Sequence, residues 1–237
     1  MLMLGDSLSR GPSPRPGGAD VFDHPDLMFN ALAIEGGSPF RAYAPGQVLD
    51  EVAIGLVRQL RPADVLMLQD AGPHHGVAAL AGLAVERLIA AARPGVRPVA
   101  VTAPADAHTP AACDWSTPLS PAGSANDAVR EAARRCAAGV VDLERLRPVW
   151  DSGLSGVGLR VLEPDGVHLT RAGGALYAAA AAGAAARVDE RAALALAGAV
   201  DGESGSRFTR LAASAMRSGV AAAGLDVGDE RAPSRGL

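Results

Sequence analysis

The sequence predicts an α/β domain in which a mostly parallel, five-stranded sheet lies between two layers of helices. Short apolar runs alternate with longer helical patterns, the order expected when crossover helices cover both faces of a parallel sheet. At 237 residues and 49% hydrophobic content, the chain can bury one substantial core and still carry an appendage. Aromatic residues make up only 3%, so this core must come from Ala, Gly, Leu and Val, which favours close, helix-rich packing.

In chain order, strands are expected near Met1 to Leu4, Phe40 to Ala44, Val65 to Gln69, Val99 to Thr102 and Val140 to Leu143. Helical patterns occupy Pro25 to Ile34, Val48 to Leu60, Val77 to Ala92, Ser124 to Ala138 and Thr170 to Ala186. Local signals support the boundaries. Asp64 follows the Arg61-Pro62 break, Pro94-Gly95 closes the third helix, and the stretch from Pro121 to Ser124 offers an N-cap to the fourth. Two polar segments, Pro104 to Gly123 and Asp151 to Asp165, interrupt the pattern as connections that could wall a site at the carboxyl ends of strands. Residues 1–187 read as the catalytic-size domain, and residues 188–237 as accessory helical segments with a frayed tail.

Composition excludes several functions. All 22 basic residues are Arg, so no lysine amine is present for Schiff-base or pyridoxal phosphate chemistry. The net charge of -4, with Arg scattered, leaves no basic stripe for a phosphate backbone, and no nucleic-acid partner is expected. Cys113 and Cys136 lack the paired spacing of a zinc or redox motif. No apolar run reaches the ~18 residues of a membrane span. The N-terminus shows no charged region followed by an apolar core and a cleavage site, so a cytoplasmic location is expected.

The chemistry-bearing residues fall at the two ends of the predicted domain. An apolar strand runs straight into Gly5-Asp6-Ser7-Leu8, which would set a hydroxyl at the strand's carboxyl end. A serine there needs a base. Far downstream, Asp165-Gly166-Val167-His168 places a carboxylate three residues before an imidazole, just ahead of a helix. In such a turn the carboxylate can orient Nδ1 while Nε2 faces the nucleophile.

These two blocks, in this order, resemble the Gly-Asp-Ser-Leu and Asp-x-x-His blocks of the SGNH/GDSL hydrolases. The resemblance implies a flavodoxin-like sandwich and an acyl-ester hydrolase with Ser7, His168 and Asp165 as its triad. It also implies an oxyanion hole built from the Ser7 backbone N–H, a block-two glycine and a block-three asparagine side chain. Gly46, in Tyr43-Ala44-Pro45-Gly46, matches the glycine. Block three departs from the family pattern. The segment Gln69-Asp70-Ala71-Gly72-Pro73-His74-His75-Gly76 has no asparagine, and His74 takes its place, or in another register Gln69 or Asp70 lies near the site.

Asp6, His75 and Trp115 are candidate substrate contacts, with Trp115 equally able to anchor its own loop. His74 and His75, together with His108 or His24, could alternatively be read as metal ligands. Adjacent loop histidines usually diverge, however, and no acidic or Cys ligand accompanies them at a suitable spacing, so neither metal nor cofactor is expected. The expected substrate is a small-molecule acyl ester. An acyltransferase using the same triad, and a ligand-binding module on the same fold, remain open alternatives.

Overall fold

The computed structural model describes residues 2–5, 41–43, 51–69, 78–104, 125–156, 158–162, 169–185 and 205–224. Its strands are β1 (Leu2–Gly5), β2 (Arg41–Tyr43), β3 (Val65–Gln69), β4 (Arg97–Val101) and β5 (Gly139–Val141). Its helices are α1 (Glu51–Val57), α2 (Ala78–Ala91), α3 (Ala125–Arg135), α4 (Leu143–Ser155), α5 (Arg171–Ala185) and α6 (Gly205–Ala222). The strands form one parallel sheet of order β2-β1-β3-β4-β5. The predicted α/β/α sandwich is therefore the fold, with every pairing between the five described strands parallel.

Strand alternation divides the core in two. Met3, Met67, Val99, Val101 and Val141 pack with α4, α5 and α6 on one face, while Leu2, Leu4, Leu66, Leu68 and Ala100 pack with α1, α2 and α3 on the other. β3 is buried along its whole length, as its unbroken Val-Leu-Met-Leu-Gln run requires of a central parallel strand. In α3 the buried positions Ala125, Val129, Ala132 and Ala133 recur at helical spacing, which leaves Arg134 and Arg135 on the solvent side. The turn after α2 bends at Gly95, whose φ of 86° suits a residue without a Cβ.

α4 corrects the sequence reading. Leu143, expected to end a strand, instead opens a helix, and Asp151 to Ser155, expected in a polar connection, complete it. Pro148 lies inside this helix and removes one backbone donor. The helix continues through it because Leu143, Trp150 and Leu154 fall on one face and are fully buried. Asp142 caps it, accepting from the Arg145 N–H at 3.3 Å.

α6 belongs to the same core as the sheet: Ala212, Ala215 and Met216 are buried in the cluster that contains β1 and α5. Its contact with α5 is close enough that a Cβ added at Gly183 would run into the Met216 carbonyl, and one at Gly219 into the Ala180 carbonyl. A Cβ at Gly139 would likewise strike the Ala222 carbonyl, so the end of α6 lies directly on β5. The helix Pro25 to Ile34 expected from sequence lies outside the described residues.

Candidate active site

Because all five strands are parallel, their carboxyl ends share one edge of the sheet. With the order β2-β1-β3-β4-β5, successive connections run in opposite directions from β1, so the strand order reverses between β1 and β3. Gly5, the last residue of β1, is in register with Gln69, the last of β3, and Leu4 is in register with Tyr43, the last of β2.

In sequence, Ser7 stands two positions beyond Gly5, Gly46 three beyond Tyr43, and His74 five beyond Gln69. The three segments that carry Ser7, Gly46 and His74 thus start from three neighbouring strand ends. At the other end of the chain, Leu162 and Leu169 form an antiparallel bridge. The segment with Asp165 and His168 therefore leaves and returns at one paired point, immediately before α5.

Of the candidate site residues named from sequence, Gln69 alone is described. Its side chain is completely buried, and alternation with Val65 and Met67 directs it to the face covered by α4, α5 and α6. Ser7, Asp165, His168, Gly46, His74, Asp6, His75 and Trp115 lie outside the described residues, as do Cys113, His24 and His108. Cys136 is a free, partly buried thiol whose pKa is raised, first by burial and then by the nearby Glu86 carboxylate.

Beyond the ends of β4 and β5 the sheet edge carries a polar cluster that no sequence pattern announces. Thr102 is fully buried; its hydroxyl donates to Asp142 Oδ1 at 3.2 Å and accepts from the Glu144 N–H at 3.2 Å. Arg130, reaching across from α3, donates through Nε to Asp142 Oδ2 at 2.8 Å and through Nη2 to Asp142 Oδ1 at 2.8 Å. It also pairs with Glu144 and Asp127. Burial pushes the Asp142 carboxyl up, but the Arg130 hydrogen bonds and charge, together with the Arg145 N–H and the Thr102 hydroxyl, outweigh it and hold the group below the ordinary carboxylate range. Hydrogen bonding to Asp142 in turn raises the Arg130 guanidinium further above its already high value.

One residue further on, Ala103 leaves the sheet. Its N–H donates to Asn126 Oδ1 at 2.8 Å, and its carbonyl accepts from Asn126 Nδ2 at 3.2 Å. Asn126, in the first turn of α3, is completely buried and replaces the strand neighbour that Ala103 lacks. The only signal in the sequence was an amide side chain on an otherwise apolar helix face.

Among the described residues no helix is long and apolar enough to cross a membrane, and no three His, Cys, Asp or Glu side chains gather as metal ligands. No family model and no curated protein matches the chain. Among solved structures, the chain is similar to a candidate SGNH hydrolase from Slackia heliotrinireducens, with 22% identity and a TM-score of 0.46, over 73% of this chain and 91% of that one.

Proposed function

We propose that the chain is a serine-dependent acyl-ester hydrolase. The observation that carries the reading is the sheet order, which brings the carboxyl ends of β2, β1 and β3 together just upstream of Gly46, Ser7 and His74. Open α/β sheets bind their ligands outside this edge, at the point where the strand order reverses.

Ser7 Oγ attacks the ester carbonyl as His168 Nε2 takes its proton. The resulting oxyanion is held by the Ser7 and Gly46 N–H groups and by a block-three side chain, His74 or Gln69. His168 passes the proton to the leaving alcohol and an acyl-enzyme remains. Water then attacks this ester, with His168 again accepting the proton and returning it to Ser7 Oγ as the acid departs. Asp165 orients the imidazole and stabilises its charged form throughout. Asp6, His75 and Trp115 are assigned to substrate contact, and the reaction needs no cofactor. An alcohol in place of the water would give an acyltransferase with the same residues.

The missing block-three asparagine favours one further reading, a cleft that binds ligand without turnover. Hydrolysis of p-nitrophenyl acetate, butyrate and octanoate, with fluorophosphonate labelling beside Ser7→Ala, separates the two. Labelling and turnover that vanish in the variant support the hydrolase, and a wild type that neither labels nor turns over supports the binding module.

A further inference from the structure

We infer that Asp151, together with Thr170, is a positioning residue for the histidine of the proposed triad. The inference rests on the assignment of His168 as the base of Ser7 and adds two residues that this assignment does not use.

Residues 163–168, which include Asp165 and His168, connect Leu162 to Leu169, and these two residues are bridge partners. His168 is bonded directly to Leu169, so its Cα stands about 3.8 Å from that of a residue that is bridged and buried. Whatever fixes the foot of this segment fixes the point from which the imidazole has to reach.

α4 and α5 both hold that foot. Val161, fully buried, donates its N–H to Asp151 Oδ1 at 3.0 Å, and its carbonyl accepts from the Thr170 N–H at 2.9 Å. Asp151 belongs to α4 and lies between the fully buried Trp150 and Leu154, so its carboxylate is presented from a helix seated in the core. The Thr170 hydroxyl donates to the Arg160 carbonyl at 2.5 Å and accepts the Gly173 N–H at 3.0 Å, which caps α5. A Cβ added at Gly173 would run into the Val161 carbonyl, so the first turn of α5 rests directly on the same backbone. The two sides of the bridge are thus clamped by Asp151 through Val161 and by Thr170, which follows His168 by two residues.

An acceptor is all that the Val161 N–H requires. Asparagine keeps the acceptor without the charge, whereas alanine leaves a buried donor unmet. A displaced foot misplaces the His168 imidazole against Ser7 Oγ in every step that moves the proton, while the ester still binds. The signature is a loss in kcat with KM little changed.

The test uses the full chain as Asp151→Ala and Asp151→Asn, beside the wild type and His168→Ala. For each, kcat and KM on p-nitrophenyl acetate, the rate of fluorophosphonate labelling and the thermal midpoint are measured. Asp151→Ala is expected to lower kcat and the labelling rate by about 10–100-fold with KM within a few-fold, and Asp151→Asn to leave all three near the wild-type values. Should Asp151→Ala not fold, Thr170→Val, with Thr170→Ser as its conservative partner, decides by the same split. A lowered midpoint with wild-type kcat, a change confined to KM, or a loss in Asp151→Asn as large as in Asp151→Ala overturns the inference. A wild type that neither turns over nor labels, or a His168→Ala protein as active as the wild type, overturns the triad reading and this inference with it. An inactive His168→Ala beside an unimpaired Asp151→Ala overturns this inference alone.

Discussion

Gly5 and Gln69 are register partners at the carboxyl ends of two adjacent parallel strands, so the chain departs towards Ser7 beside the point where it departs towards His74. A nucleophile set on one exit can be served by a donor from the next. Replacing Ser7 by Ala is expected to lower kcat by about 10⁴-fold or more. Asp165→Asn should lower it by on the order of 10³–10⁴-fold through the wrong imidazole tautomer. Steady-state kinetics on p-nitrophenyl acetate check both. A Ser7→Ala protein that keeps most of its activity would remove Ser7 from the mechanism.

The block-three donor can be found by paired substitution. Whichever of His74→Ala and Gln69→Leu removes the oxyanion donor is expected to reduce kcat by about 10²–10³-fold with KM little changed. The other should leave kcat within a few-fold. Because Gln69 is completely buried in the sheet, its variant is also expected to shift thermal stability, which circular dichroism reads separately from the kinetics. If neither variant lowers kcat, the oxyanion is not stabilised from this strand.

Close packing of α5 on α6 makes Gly219 a position where growth is costly. An added Cβ there meets the Ala180 backbone carbonyl, which cannot rotate away as a side-chain end could. Gly219→Ala is expected to destabilise the fold by about 1–3 kcal/mol despite the better helix propensity of Ala. Gly55→Ala is the control, since nothing lies within 4 Å of a Cβ at that helical position. Denaturant unfolding of the two variants gives the comparison, and equal midpoints would show that α5 and α6 do not meet at Gly219.

Asp142 gives the molecule a definable acid limb. Its carboxyl is held below the ordinary range in the folded chain, so the unfolded state takes up the proton first as pH falls. Its contribution to stability is complete above the unfolded carboxylate pKa and is lost as pH drops through the lower, folded value. Asp142→Asn should therefore be less stable than the wild type near neutral pH, and the difference should shrink on acidification. Thermal midpoints between about pH 7 and pH 3 test this. A difference that stays constant or grows on acidification would count against the Arg130 pairing as its origin.

The parts of the fold that were legible in the sequence are those fixed by local pattern. Val65 to Gln69 reads as a buried central strand because an unbroken apolar run between two helical patterns has few other homes, and it is one. α4 was hidden because Pro148, Gly153 and the Asp151-Ser152 pair are turn signals, while Leu143, Trp150 and Leu154 hold the helix by burial that appears only once the sheet is assembled. The polar cluster was equally hidden. Arg130 meets Asp142 across 12 residues and Thr102 meets Asp142 across 40, distances over which no periodicity operates. The order of the two sequence blocks was readable, but Ser7, Gly46, His74, Asp165 and His168 lie outside the described residues; Asn126, which pairs with a backbone rather than a side chain, left no motif.

Where α5 meets α6, Gly183 lies against the Met216 backbone and Gly219 against the backbones of Ala180 and Ala184, so the close contacts are made by groups near the minimum size a residue can have. Most proteins lose their cores by subtraction, when a large side chain is cut back and leaves a hole. This junction has almost nothing to subtract. Its substitutional tolerance runs one way only: random mutation there can act almost solely by wedging the helices apart. The damage would be a shift of whole backbones against β5 rather than a local void, and a second, compensating change would have to come from the facing helix rather than from a neighbour on the same one.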